Sequence, residues 1–160
     1  MLQTEVHPGV TLFPQIAWRW DSETDILSGT YRHAGPDETA GTVEISSPDG
    51  AVAVLDIVDG DICGLDIVIW PDVETVSGLQ APAPMVAGRV GVPVGALPGQ
   101  LETELAVEVD SAEQVFHLRI GPERRVTYVQ VADHLLIEVD EEQQLAGFWL
   151  TGVPPFPGDL

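Results

Sequence analysis

Two stretches of this chain make the same succession of moves. Residues 53–71 read AVLDIVDGDICGLDIVIWP, and residues 136–154 read LIEVDEEQQLAGFWLTGVP. Each is an apolar strand, an acidic turn, a glycine, a second apolar strand and a proline. Placing Gly64 on Gly147 puts Val54 on Ile137, Ile62 on Leu145, Ile67 on Leu150 and Pro71 on Pro154. Upstream, WDSETDIL (20–27) falls on VDSAEQVF (109–116), with Asp21-Ser22 on Asp110-Ser111 and Ile26-Leu27 on Val115-Phe116. The offset is 89 residues upstream and 83 downstream, and one loop is expected to absorb the change. RHAGPDETAGT (32–42) is longer than RIGPERR (119–125), and both carry Gly-Pro-acid. Agreement on both sides of a loop indel predicts a tandem duplication.

Each copy reads as antiparallel β-structure. Asp-Ser-Glu-Thr-Asp (21–25) is a turn between strands, TVEISS (42–47) alternates, and Asp59-Gly60 is a favoured hairpin turn between two apolar strands. LAVEV, VFHLRI, VTYVQV, HLLIEV and LAGFWLTG repeat the scheme between 105 and 152. No window carries a sustained 3.6-residue stripe, although a short helix is allowed near Asp72–Leu79. Gly64 and Gly147, early in their strands, predict a bulge, a bend or close backbone packing. The expected fold class is all-β, or β-dominated α+β: two tandem antiparallel meander repeats packed about a pseudo-two-fold axis. The divisions are a first repeat at 1–76, a Gly/Pro-rich connector at 77–100 and a second repeat at 101–160, all in one compact unit. Within the connector, VAGRVGV is read as an edge strand or a segment lying in a groove. A repeat of about 60 residues buries little by itself, so the copies should pack together.

Charge narrows the partners. The chain has 26 acidic residues against 6 Arg and no Lys, for a formal net charge of -20. Such a surface repels phosphate, which argues against nucleic acid and anionic membranes and permits a basic protein partner or a cation. The plainer reading is that the acidic faces keep a β-rich protein in solution. No apolar run approaches the roughly 18 residues of a membrane helix, no signal peptide is visible, and a cytoplasmic location is the expectation. A single cysteine, Cys63, excludes an internal disulfide framework.

WDSETDIL followed by VAVLDIVDGDICGLDIV resembles the YuzE-like family, a domain of unknown function among small bacterial proteins. The second copy departs further, with Gln114 in place of the Asp at 25 and Gln143 in place of Gly60. The resemblance covers both copies, and its motifs are turns and strands. It implies a fold and no established activity, with single-copy members suspected of partnering other small proteins, toxin-like ones included.

No residue set carries a reaction on spacing alone. Asp56, Asp59, Asp61 and Asp66 cluster around the first hairpin, and Glu138, Asp140, Glu141 and Glu142 around the second, without the ligand pattern of a calcium loop. These read as solvated turns. His7, His33, His117 and His134 lack zinc-site spacing, and whether they meet in space is open. Cys63 aligns with Ala146, which predicts a small buried side chain rather than a nucleophile. Ser22 lacks a nucleophile elbow and reads as a turn residue. No catalytic, cofactor-binding or metal residues are assigned, and no cofactor is expected. Trp18 and Trp20, two apart on a strand, share a face that is either the core between copies or an exposed patch. The tail VPPFPGDL (153–160) is read as an arm docking Phe156 on a neighbour, or as a frayed end. The preferred expectation is a non-enzymatic protein-interaction module, with a homo-oligomer possible. The alternative is a small-ligand or enzymatic site where the copies join, marked by a cavity with convergent polar groups such as a histidine and an acid.

Overall fold

A computed structural model describes residues 1–9, 12–93, 95 and 98–156. Among them the protein is all-β, without helices, and its strands form a curled mixed sheet. In the N-terminal half the ladder runs β2 (Arg19–Trp20), β3 (Leu27–Thr30), β6 (Asp61–Ile69), β5 (Val52–Val58), β4 (Ala40–Ser46), all antiparallel. In the C-terminal half it runs β10 (Leu105–Asp110), β11 (Val115–Ile120), β14 (Leu145–Leu150), β13 (Leu135–Asp140), β12 (Val126–Ala132), again antiparallel. The inward face of both ladders is apolar. Leu27, Val43, Leu55, Leu65, Ile67, Leu118, Val129, Ile137, Phe148 and Leu150 belong to one core that spans the two halves. At about 25 cal/mol per Å² of apolar surface, a shared core of this kind supplies what neither half could bury alone.

Aspartate turns explain the matching ends of the ladders. Asp21 Oδ1 accepts the backbone N–H groups of Glu23 and Thr24, and Asp110 Oδ1 accepts those of Ala112 and Glu113. Both turns close on a residue in the left-handed region, Asp25 at φ 61° and Gln114 at φ 59°. These donors hold the Asp21 carboxyl below its ordinary range. At Asp110 partial burial pushes the other way, and the N–H groups of Gly78, Glu113, Leu79 and Ala112 outweigh it. Gln114 can therefore replace an Asp because the position needs a left-handed backbone, not a charge.

Gly64 and Gly147 mark bulges. On the partner strand the register shifts between Asp56 and Ile57 in one hairpin and between Glu138 and Val139 in the other, leaving Cys63 and Ala146 as the extra residues. A Cβ on Gly64 would lie 2.7 Å from Asp56 Oδ2 and 2.8 Å from the Gly29 carbonyl. One on Gly147 would strike Glu138 Oε1 and stand 2.6 Å from the Leu118 carbonyl. Cys63 is fully buried, and burial pushes its thiol up.

Three expectations need correction. The region near Asp72–Leu79 is not helical: β7 (Val73–Thr75) adds to β10 in parallel, because Val76 N–H and Gly78 N–H are taken by Val109 and Asp110. The connector is not an edge. β8 (Val86–Gly91) lies parallel to β12 on one side and antiparallel to β1 (Glu5–Pro8) on the other, and touches β6 at Asp61↔Gly91. β9 (Gln100–Glu102) then pairs in parallel with β4. Finally, the offset between the halves does not change in one loop. Strand registers place Asp56 opposite Gly64 and Glu138 opposite Gly147, so Leu55, not Val54, takes the place of Ile137. The two turns around β5 and β13 absorb length as well.

The N-terminus also crosses halves. Gln3 bridges Gln144, Leu145 N–H donates to the Leu2 carbonyl, and Leu2 is buried.

Candidate functional site

The outward face of each ladder carries two rows of side chains, and the register defines them. In the N-terminal half one row is Arg19–Ser28–Asp66–Val54 and the next is Thr30–Gly64–Asp56–Thr42. In the C-terminal half the rows at the same places are Glu108–His117–Trp149–Leu136 and Arg119–Gly147–Glu138–Tyr128. The strand order and pairing directions of the two ladders agree, and the side chains do not.

In the C-terminal half the face is occupied by its own residues. His117 Nε2 lies 2.9 Å from Glu138 Oε1, and its Nδ1 lies 3.2 Å from Glu108 Oε1. The imidazole stacks on Trp149 at 4.1 Å between centroids and 9° between planes, and Trp149 Nε1–H donates to Glu138 Oε2. Glu138 is only 5% exposed, yet both its oxygens are engaged. Burial lowers the His117 pKa, but the hydrogen bonds and charges of Glu138 and Glu108 outweigh it, so the imidazole is held above its ordinary value. Beside it, Arg124 ties Asp140 to the Ile120, Pro122 and Leu145 carbonyls. A cavity of about 260 Å³ remains around this cluster.

In the N-terminal half the same face is open. Ser28 stands where His117 stands, Asp66 where Trp149 stands, Asp56 where Glu138 stands and Arg19 where Glu108 stands. The result is a cavity of about 590 Å³ lined by Arg19, Ser28, Thr30, Asp56, Asp66 and His33. The C-terminal half closes one wall with Asp133 and His134. That wall is fixed: Asp133 Oδ1 accepts Ile16 N–H at 2.9 Å, and the His134 carbonyl accepts Trp18 Nε1–H. Behind it, in the core, the Trp18 ring fills the space a side chain at Gly29 would take. Asp56 is half-buried, and its carboxyl is raised above the ordinary range by burial and by the charge of Asp66, with His33 opposing. Three carboxylates (Asp56, Asp66, Asp133), two imidazoles (His33, His134) and the Arg19 guanidinium thus line one open volume.

The structure sorts the candidate residues of the sequence. His33 and His134 line this one cavity, His117 sits in the C-terminal cluster, and His7 lies apart on the surface beside Glu5. Of the first acidic cluster, Asp56 and Asp66 share the cavity. Asp61 is buried, with Arg89 at 2.7 Å and Arg32 at 3.4 Å, and Asp59 is exposed in its turn at φ 51°. Among the described residues no group of three or more His, Cys, Asp or Glu is placed to hold a metal ion. Arg19, Ser28 and Thr30 carry no sequence signal of their own. They become visible only when the two halves are written row against row.

A further concavity, about 370 Å³, is lined by Trp20, Trp70, Phe116 and Phe156. Trp20 stacks on Trp70 at 5.5 Å, and Phe156 meets Trp20 edge-on at 5.1 Å. Trp20 Nε1–H donates to the Pro154 carbonyl and Trp70 Nε1–H to that of Asp25. Trp18 and Trp20 thus both reach into the C-terminal half. The tail, expected on a neighbour, lays Phe156 on its own chain, and residues 157–160 lie outside the described residues. No helix of the described residues is long and apolar enough to cross a membrane.

Compared with known proteins, the chain matches no protein-family model and no curated protein.

Proposed function

We propose that this protein binds a small polar molecule in the cavity between the halves. The observation that carries this reading is the convergence of Asp56, Asp66, His33 and Arg19 on an open volume of about 590 Å³, walled by Asp133 and His134 from the other half. Binding sites favour such junctions, where a few polar groups fix the ligand against a rigid frame. The reading includes the tandem duplication expected from the sequence: two copies of one strand frame diverged, one filling its outer face and the other leaving it open. The resemblance to YuzE-like proteins adds a fold expectation and no ligand.

The test is a thermal-shift screen of small polar compounds of both charges against the full chain, repeated on Ser28→Trp, which fills the cavity from a half-buried strand position. Binders should raise the melting temperature of the wild type and lose that effect in the variant, because a ligand specific to the folded state stabilises it by mass action. Hits that stabilise both proteins equally would place binding elsewhere.

A second reading, a protein-interaction module, is favoured by the aromatic concavity of Trp20, Trp70 and Phe116 on a chain of net charge -20. Buried aromatics dominate interface energies, and an acidic surface speeds encounter with a basic partner. Phe156→Ala should then alter capture of a basic partner at low salt. Unchanged capture would count against the aromatic site.

A further inference from the structure

The C-terminal half shows what the N-terminal frame is shaped to hold. There, a planar nitrogen ring enters from the position of Ser28 and lies against the carboxylate at the position of Asp56. Both ring nitrogens face carboxylates, at 2.9 and 3.2 Å, so the bound form is one that donates from each nitrogen. In the N-terminal half the ring is absent because Ser28 is small, but the receiving carboxylate remains. A second carboxylate, Asp66, is added on the same face, two residues along the strand from Gly64 and so diagonal to Asp56. Asp56 has burial and a like charge around it, the situation a cation relieves.

Resting on the ligand-binding reading above, we propose that the cavity takes a small organic nitrogen cation, an ammonium or imidazolium group seated between Asp56 and Asp66 in the place His117 supplies for its own half. Arg19, where the other half has Glu108, gives that ligand a neighbouring site for an anionic or carbonyl oxygen. A small zwitterion therefore satisfies the cavity better than a diamine. The cation is taken to be an organic one because the matching place in the other half holds a nitrogen ring, and among the described residues these carboxylates form no metal-type cluster. The volume of about 590 Å³ admits a molecule of amino-acid size with room to spare.

The experiment is calorimetric titration of the full chain at pH 7 and low salt with histamine, histidine and acetate, alongside Asp56→Asn, Asp66→Asn and Ser28→His. Histamine should bind one-to-one, weaken about tenfold in each Asn variant and vanish in Ser28→His. Histidine should bind more tightly than histamine, and Arg19→Gln should erase that difference. Far-UV circular dichroism of each variant, together with amide shifts at Gly64 and Asp66 on titration, separates a lost site from a lost fold. Binding of histamine that ignores both Asn substitutions, or acetate binding as well as histamine, would overturn the inference. If neutral or anionic compounds occupy the cavity and cations do not, the cation class falls and the ligand-binding reading stands. If no compound of any charge binds, both fall.

Discussion

The two outer faces of this molecule lie on ladders of the same strand order and have opposite contents. Around Gly147 the face is closed: His117 lies between Glu138 and Glu108, Trp149 covers the ring, and both oxygens of a nearly buried carboxylate are satisfied. Around Gly64 the face is open: Ser28 is short, Asp56 and Asp66 confront each other, and a large cavity takes the volume of the missing rings. The difference teaches that the frame and its contents answer to different demands. The closed face follows the rule that buried polar groups find partners. The open face leaves a carboxylate in a setting that burial and like charge disfavour, a perturbation that functional sites often carry.

The comparison breaks most visibly at the frame. Gly147→Ala drives a Cβ against Glu138 and the Leu118 carbonyl, and Gly64→Ala drives one against Asp56 and the Gly29 carbonyl. Each should cost about 2–3 kcal/mol, a fall of roughly 8 °C in melting temperature. Thermal unfolding of both variants checks whether the bulges matter equally. A neutral Gly64→Ala would mean that the open half does not depend on its bulge.

Next in size is removal of the ring. His117→Ala leaves Glu138 buried without its imidazole partner and uncovers Trp149, and should lower stability by about 2 kcal/mol. Ser28→Ala, at the matching position, should change stability by less than about 0.5 kcal/mol. Imidazole added to His117→Ala should recover part of the loss, and no recovery would mean that the ring acts through its backbone attachment alone.

The pH response of the closed face follows from the raised His117 value. The folded protein holds this proton more tightly than the unfolded chain, so the stabilisation is complete below the ordinary imidazole range near 6.5 and drains away as pH rises through the higher folded value. Denaturant unfolding across pH 5.5–8.5 should show this loss in the wild type and a flatter profile in His117→Gln.

The smallest effect carries the opposite sign. Asp56 has a raised value, so its stabilising protonated form is favoured only as pH falls, and at neutral pH the charged group disfavours the fold. Asp56→Asn should raise the melting temperature at pH 7 by about 2 °C, kept modest because water reaches the group. A fall instead would mean that Asp56 holds the frame rather than a ligand.

How much of this was readable beforehand differs between frame and site. The Asp21 and Asp110 turns, the equivalent glycines and the apolar hairpins are local, and short-range turn chemistry made them legible. Of the three strands that pair in parallel, only Val86–Gly91 was legible as a strand, and none of the pairings was, because Val73–Thr75, Val86–Gly91 and Gln100–Glu102 are short and their partners lie far away in the chain. A periodicity of two says nothing about which distant strand completes a ladder. The site was legible only as separate residues. Asp56, Asp66, His33 and His134 were each in view, but the cavity is assembled across four strands and a wall from the other half, and only register brings them together. The alignment around the second hairpin was off by one residue, and a one-residue slip reverses the faces of a strand. That slip hid the correspondence of Asp56 with Glu138.

On the proposed reading the open face is the counterpart of the closed one, with Ser28 in the place of His117. Its most direct test is an NMR pH titration of the imidazole signals in Ser28→His, with His117 of the same molecule as internal reference. The introduced imidazole should titrate above the ordinary histidine range, as the His117 environment also favours, and Asp56→Asn should bring it back down. An introduced imidazole that titrates as a free histidine, indifferent to Asp56, would contradict it.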